Sequence, residues 1–249
     1  MNAIGKTHQG IKRNNNEDAY IILNDKISCL SNLYIVADGM GGHHAGEVAS
    51  HNAIKFFCDY VYNNNFKGND ILDFLIDAAK YANNKVYEKS CEEDNYAGMG
   101  TTFTACTIKG SKGYACHIGD SRIYVINEEG IKALTTDHSY VQEMIRAGEL
   151  TKDEAEIHPK KNALTRALGT DINLQVDGYI FSLKQGDKIL MCTDGLTNMI
   201  RDDEIKDIVI NKENLESSIE CLIKIANQNG GIDNITAILV EIVGDIHGN

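Results

Sequence analysis

Apolar positions along the chain fall into short continuous runs and longer helical stripes, separated by polar turns. Residues 33 to 36 form a four-residue apolar run that predicts a buried strand, stopped at Ala37-Asp38-Gly39 and followed by glycines and a helical pattern. Ile189-Leu190-Met191-Cys192 repeats the arrangement, running into Thr193-Asp194-Gly195 and a second polar turn. Residues 19 to 23 predict another strand, entered from Arg13-Asn14-Asn15-Asn16-Glu17-Asp18 at the end of an eighteen-residue polar start. Val48, Ile54, Phe57 and Val61 recur at helical spacing, as do Ile71, Phe74, Leu75, Ala78, Ala82 and Val86. They predict two long amphipathic helices joined by a loop over residues 63 to 69. Residues 100 to 108, 114 to 118 and 122 to 126 read as strands, and Gly119-Asp120-Ser121 reads as a turn that places Asp120 at a hairpin tip.

Residues 139 to 170 interrupt the strands with short helical patterns, the one proline and several lysines and arginines, the composition of a surface excursion. Strands resume at residues 175 to 181 and 188 to 192. A helix over residues 215 to 228 follows, with Leu215, Ile219, Leu222, Ile223 and Ala226 on one face. Residues 235 to 243 predict the last strand, preceded by Gly231-Ile232-Asp233-Asn234. Strands in two runs, with helices grouped between and after them, predict an α+β layered sandwich in one domain over residues 1–249 and not a doubly wound parallel sheet.

With 43% hydrophobic residues and one proline, the chain can bury a full core and carries no signature of disorder. A formal charge of -12 argues against a nucleic-acid backbone or an anionic membrane as partner and favours cation capture. Seven cysteines without a C-x-x-C pair fit a reducing compartment, with Cys106, Cys116 and Cys192 in apolar runs as small core residues. The first residues lack an apolar signal region, and no segment reaches the ~20 apolar residues of a membrane span. The expectation is a cytoplasmic protein, a monomer by default.

The acids at strand ends and entrances are Asp18, Asp38, Asp120, Asp194 and Asp233. Carboxylates a few ångströms apart force one another to hold protons unless positive charge lies between them. A pocket of such acids, without His or Cys ligands, suits Mg²⁺ or Mn²⁺ over Zn²⁺. Two such ions bridged by one carboxylate acidify a shared water and stabilise an in-line displacement at phosphorus. Arg13 is then the candidate phosphate clamp, since a guanidinium matches two phosphate oxygens. Each piece alone has a plainer reading. An Asp before Gly is ordinarily a turn residue, Arg13 could be a solvated charge, and Gly39, Gly41 and Gly42 could serve only turn dihedrals. His43 and His44 begin a helix, where histidines are commonly idle, and His138 and His158 are expected to be structural.

The joint pattern is more specific. Arg13 to Asp18, the run VADGMGGHHAGEVAS, Gly100-Thr101-Thr102, HIGDSRIY from His117, LTTDHS from Leu134, LTRALG from Leu164, CTDGLTNM from Cys192 and DNIT from Asp233 span nearly the whole chain. In content and order they resemble the bacterial PPM-type serine/threonine protein phosphatases of the protein phosphatase 2C family. The resemblance implies a four-layer αββα sandwich, two antiparallel sheets flanked by helices, with metals in a cleft at one end. It implies Asp38 as the bridging ligand, the Gly39 carbonyl beside it, and Asp194 and Asp233 as the remaining ligands of the first ion. Asp18 corresponds to an acid that reaches the second ion through water, Asp120 to a third-ion ligand shared with Asp194, and Arg13 to the phosphate-binding arginine. Residues 139 to 170 correspond to the variable flap.

The implied activity is Mn²⁺- or Mg²⁺-dependent hydrolysis of phosphoserine and phosphothreonine in proteins, a serine/threonine kinase of the same cell among the substrates. One position departs from the eukaryotic pattern: Met40 stands where a histidine follows the Asp-Gly. A thioether cannot protonate the leaving oxygen, so a metal-bound water or His43 becomes the candidate acid. Three other functions compete. A dinucleotide site fails because the third glycine is displaced to Gly46 and Asp38 would face the pyrophosphate. A catalytically dead phosphopeptide-binding module would be expected to have lost some of the acids. A nuclease or phosphodiesterase would need a basic groove that the sequence does not offer.

Overall fold

A computed structural model describes residues 1–42, 44–64, 70–92 and 94–243. Two antiparallel sheets pack face to face. The first contains β1 (Asn2–His8), β7 (Arg122–Asn127), β8 (Gly130–Ala133), β10 (Lys188–Cys192) and β11 (Ile235–Glu241), in the order β1-β11-β10-β7-β8. The second contains β2 (Asp18–Leu23), β3 (Leu33–Met40), β5 (Phe103–Lys109), β6 (Lys112–Ile118) and β9 (Asp177–Ser182), in the order β2-β3-β5-β6-β9, with the short β4 (Gly100–Thr101) on the end of β3. Helices α1 (Ala45–Asn63) and α2 (Ile71–Glu92) cover the outer face of the second sheet. Helices α6 (Asp202–Asn211) and α7 (Leu215–Gln228) cover the first.

Side-chain alternation explains the layering. Leu33, Ile35 and Ala37 of β3 face the helices with Phe57 and Leu75, while Tyr34 and Val36 face the other sheet. In β10, Leu190 and Cys192 meet α6 and α7, whereas Ile189 and Met191 point inward. Central strands are thus apolar on both faces, which is why they read as continuous runs. The expected four-layer sandwich is the observed one.

Local boundaries differ in instructive places. β3 does not stop before Asp38 but continues to Met40, because β2 and β4 pair with its end. The expected strand over residues 100 to 108 breaks at Thr102, and the last strand ends at Glu241. β1, β8 and α6 are among the elements that escaped the hydrophobic pattern. β1 is polar because it is an edge strand, β8 is only four residues long, and α6 has just three buried side chains. The predicted Asp120 hairpin is wrong. β6 belongs to the second sheet and β7 to the first, so Gly119-Asp120-Ser121 is a corner between sheets. Gly119 turns it with φ 103°, against Thr102, where a β-carbon would overlap.

The segment over residues 139 to 170 contains α3 (Tyr140–Ala147) and α4 (Lys152–Glu156). Its ends are bound together: the Tyr140 amide donates to the Ala163 carbonyl at 2.8 Å and the Thr165 amide to the His138 carbonyl at 2.8 Å. Ser139 caps α3 and Gly148 ends it in the left-handed conformation. Cys106, Cys116 and Cys192 are buried free thiols. Among the described residues, no helix is long and apolar enough to cross a membrane.

Candidate active site

Asp18 and Asp38 are register partners across β2 and β3. Both share strand parity with Tyr20, Ile22, Tyr34 and Val36, whose side chains point between the sheets. Alternation therefore drives two carboxylates, with β-carbons about 5 Å apart, into the end of the inter-sheet space. Each is held by a threonine. The Asp38 amide donates to Thr102 Oγ1 at 2.9 Å, while the Thr102 amide and Thr101 Oγ1 both donate to the Asp38 carbonyl at 2.8 Å. Asp18 Oδ2 accepts from Thr193 Oγ1 of the opposite sheet at 2.9 Å, and the Thr236 amide donates to that same hydroxyl at 3.0 Å.

Asp194 opens the one-turn helix α5 (Asp194–Thr197) straight after β10, and its Oδ2 accepts from Asn198 Nδ2 at 2.9 Å. Gly195 allows this turn to lie against the Asp233-Asn234 backbone, since any β-carbon there would run into the Asn234 carbonyl. That contact brings Asp194 and Asp233 together. Asp233 Oδ1 accepts the Asn234 amide at 2.8 Å and its Oδ2 accepts from Arg13 Nη2 at 2.8 Å. Asn234 in turn organises the loop that carries Arg13. Its Nδ2 donates to the Gln9 and Asn15 carbonyls at 2.8 Å, and its Oδ1 accepts the Glu17 amide at 2.9 Å. Asp120 arrives from the inter-sheet corner, where Ser121 Oγ hydrogen-bonds Thr102 Oγ1 at 2.8 Å. Gly39 permits close approach of α1, for a β-carbon there would strike the Gly46 carbonyl.

The structure thus gathers Asp18, Asp38, Asp120, Asp194 and Asp233, with Arg13 at the rim, 51% of its side chain exposed. Burial, reinforced by Asp194 and Asp233, pushes Asp18 up to about 7. Burial and the field of Asp233 push Asp194 up to about 6. Asp38 and Asp120 are held well above the carboxylate range, first by burial and then by neighbouring acids. Asp18 Oδ1 and Asp194 Oδ1 are buried without a hydrogen-bond partner. Among the described residues, no three His, Cys, Asp or Glu side chains stand close enough together to hold a metal ion as they are placed. The donor set nevertheless fits hard divalent cations: the side-chain donors gathered here are carboxylate oxygens, two of them buried without a partner, and like charges crowd one another.

Other sequence candidates fall elsewhere. His43 lies outside the described residues. His44 precedes α1 with its side chain 80% exposed, 3.7 Å from Glu47. Thr193, Asn198 and Asn234, which hold the acids, were not legible as site residues, since only their adjacency to Asp194 and Asp233 signalled them. Arg122 and Asp137 were also missed. Arg122 Nε and Nη2 engage both Asp137 oxygens at 2.7–3.2 Å beneath a cleft of about 780 Å³. The cleft runs from Asp120 and Asp194 between α3 and Ile200.

A family profile described as "Protein phosphatase 2C" matches residues 4–240. The serine/threonine phosphatase stp of Listeria welshimeri is 37% identical over 243 residues, 97% of this chain and 96% of that one. The serine/threonine phosphatase of S. agalactiae superposes with a TM-score of 0.90 at 35% identity, covering 97% of this chain and 99% of the other. The catalytic domain of the phosphatase PstP, solved in complex with 2 manganese ions, gives 0.85 at 30% identity with 98% of each chain covered.

Proposed function

The chain belongs to the protein phosphatase 2C family and is a metal-dependent protein-serine/threonine phosphatase; within that assignment we propose which of its residues carry the reaction. Asp38, the Gly39 carbonyl, Asp194 and Asp233 would hold the first of two core ions, Mn²⁺ or Mg²⁺. Asp38 and Asp18 would serve the second, and Asp120 with Asp194 would receive a third. When bound, the ions supply Lewis acidity toward phosphoryl oxygens and a water acidic enough to attack phosphorus.

The protein's own groups do the rest. Arg13, at the rim and facing Asp233, binds phosphate oxygens and offsets the repulsion between the acids and an anionic substrate. Thr102 and Thr193 hold Asp38 and Asp18 at fixed positions, so little reorganisation is needed when charge develops. Met40, partly exposed at the end of β3, has no proton to give, and His43 is the proposed donor to the departing seryl or threonyl oxygen. Substrates are phosphorylated proteins, a serine/threonine kinase of the same cell among them. The flap over residues 139 to 170 borders the cleft and tunes which phosphoprotein is accepted. A cytoplasmic monomer is the proposed form.

The single observation behind this reading is the set of buried, partnerless carboxylate oxygens contributed by both sheets at one end of the sandwich. Purified protein is expected to hydrolyse an aryl phosphate and a phosphothreonine peptide with Mn²⁺ and to stop in excess chelator. Turnover indifferent to chelator would overturn it.

A further inference from the structure

His138 has no part in the chemistry described above, yet its buried ring holds the residue before Asp120. Only 1% of its side chain is exposed. Its Nδ1 accepts the Gly119 amide at 3.0 Å, and its own amide donates to the Gly119 carbonyl at 2.7 Å. One residue thus satisfies both polar backbone groups of the glycine preceding Asp120. A backbone amide can only donate, so Nδ1 is the unprotonated nitrogen and Nε2 carries the hydrogen. That hydrogen points to Asp177 Oδ2 at 3.1 Å. The other oxygen, Asp177 Oδ1, accepts from Arg166 Nη1 at 2.6 Å, and Arg166 lies on the segment by which the flap returns to the body. The His117 ring, fully buried, lies against the His138 ring with centroids 4.8 Å apart.

A continuous chain of contacts therefore runs from the returning limb of the flap through Arg166, Asp177 and His138 to Gly119 and Asp120. We propose that His138 is a positioning residue that sets the Asp120 corner and makes its geometry answer to the seating of the flap. Gly119 needs such a clamp because its left-handed backbone is inherently free, and the corner has no ladder partner. A ring fixed at both nitrogens, with its backbone amide also engaged, leaves the corner one arrangement. The functional consequence rests on the reading of Asp120 as an ion ligand, whereas the clamp itself does not.

Two variants separate the two ends of the imidazole. In His138→Asn the side-chain oxygen lies near the place of Nδ1 and can still accept the Gly119 amide, but reaches no further. In His138→Gln the amide reaches Asp177 and leaves Gly119 unheld. Amide hydrogen exchange at Gly119 in metal-free protein is expected to accelerate at least about tenfold in His138→Gln, which loses the acceptor, and by a smaller factor of about threefold in His138→Asn, which keeps the acceptor and loses only the tie to Asp177. Mn²⁺ calorimetry is expected to show the weakest binding step, the one lost in Asp120→Ala, weakened about 10-fold or more in His138→Gln and retained in His138→Asn. Equal protection of Gly119 in parent and His138→Gln would overturn the clamp, as would equal loss in both variants. If Asp120→Ala leaves the Mn²⁺ isotherm unchanged, the ligand reading of Asp120 fails and the exchange rates alone decide the clamp. Should His138→Gln not fold, Asp177→Asn takes its place: faster Gly119 exchange supports the linkage to the flap, and parent-like exchange overturns it.

Discussion

Asp38 shows how one residue can be costly to the metal-free fold and yet be the proposed centre of the reaction. Its carboxyl is buried among Asp18, Asp194, Asp120 and Asp233, so its charged form is disfavoured until a cation arrives. Asp38→Asn keeps the volume and removes the charge. Turnover is expected to fall on the order of 10³-fold, the equivalent of several kcal/mol of lost charge stabilisation. The same variant, stripped with EDTA at pH 7.5, should melt higher than the parent, because the parent's unfolded chain gains by ionising a carboxyl whose charged form the fold disfavours. A lower melting temperature would contradict the crowding inferred here. The sequence made Asp38 visible through its Asp-Gly context. Thr102, which holds the Asp38 backbone, and Asn234, which ties down the loop carrying Arg13, looked like any other polar residues because those partners are 64 or more positions away.

Among elements, α5 and the start of β11 decide whether two distant acids meet. The one-turn helix packs its Gly195 backbone against the Asn234 carbonyl, which places Asp194 beside Asp233. Gly195→Ala forces these segments apart. The expected loss is about 2 kcal/mol, typical of overpacking, read as a shift in urea midpoint. Mn²⁺ affinity should drop in the same variant, and unchanged affinity would mean that the contact does not set ligand spacing. Helices α1, α2 and α7 were legible because each buries one continuous stripe. β1 and the hairpin expected at Asp120 were not, for different reasons. An edge strand half in solvent needs no apolar alternation. A three-residue link between strands is compatible with a hairpin or a corner, and only Gly119 packed on Thr102 selects the corner.

Across the molecule, the acid cluster links stability to pH and metal. Asp18 near 7 and Asp194 near 6 in the folded state sit above their ordinary carboxylate values, so the folded chain holds protons that the unfolded chain has released. Their stabilising contribution is complete below about pH 4 and is lost as pH rises through 6 to 7. Metal-free protein should therefore melt about 5 °C or more lower at pH 8 than at pH 5, and saturating Mn²⁺ should restore the difference at pH 8. Calorimetric scans in EDTA at pH 5, 6.5 and 8 test it, and a melting temperature that is flat or rises with pH would refute it.

What the amino-acid sequence determined by itself was what short-range physics can encode. It set the two-sided burial of the central strands, the amphipathic stripes of the long helices, the acids at strand ends, and the motif order that resembles one phosphatase family. Tertiary structure alone decided which sheet each strand joined, that Asp120 comes from a corner, and that Thr193 of one sheet holds Asp18 of the other. Hydrophobic period records which face of a strand is buried but not which strand lies beside it. A hydrogen bond between residues 175 positions apart leaves no periodic trace at either end.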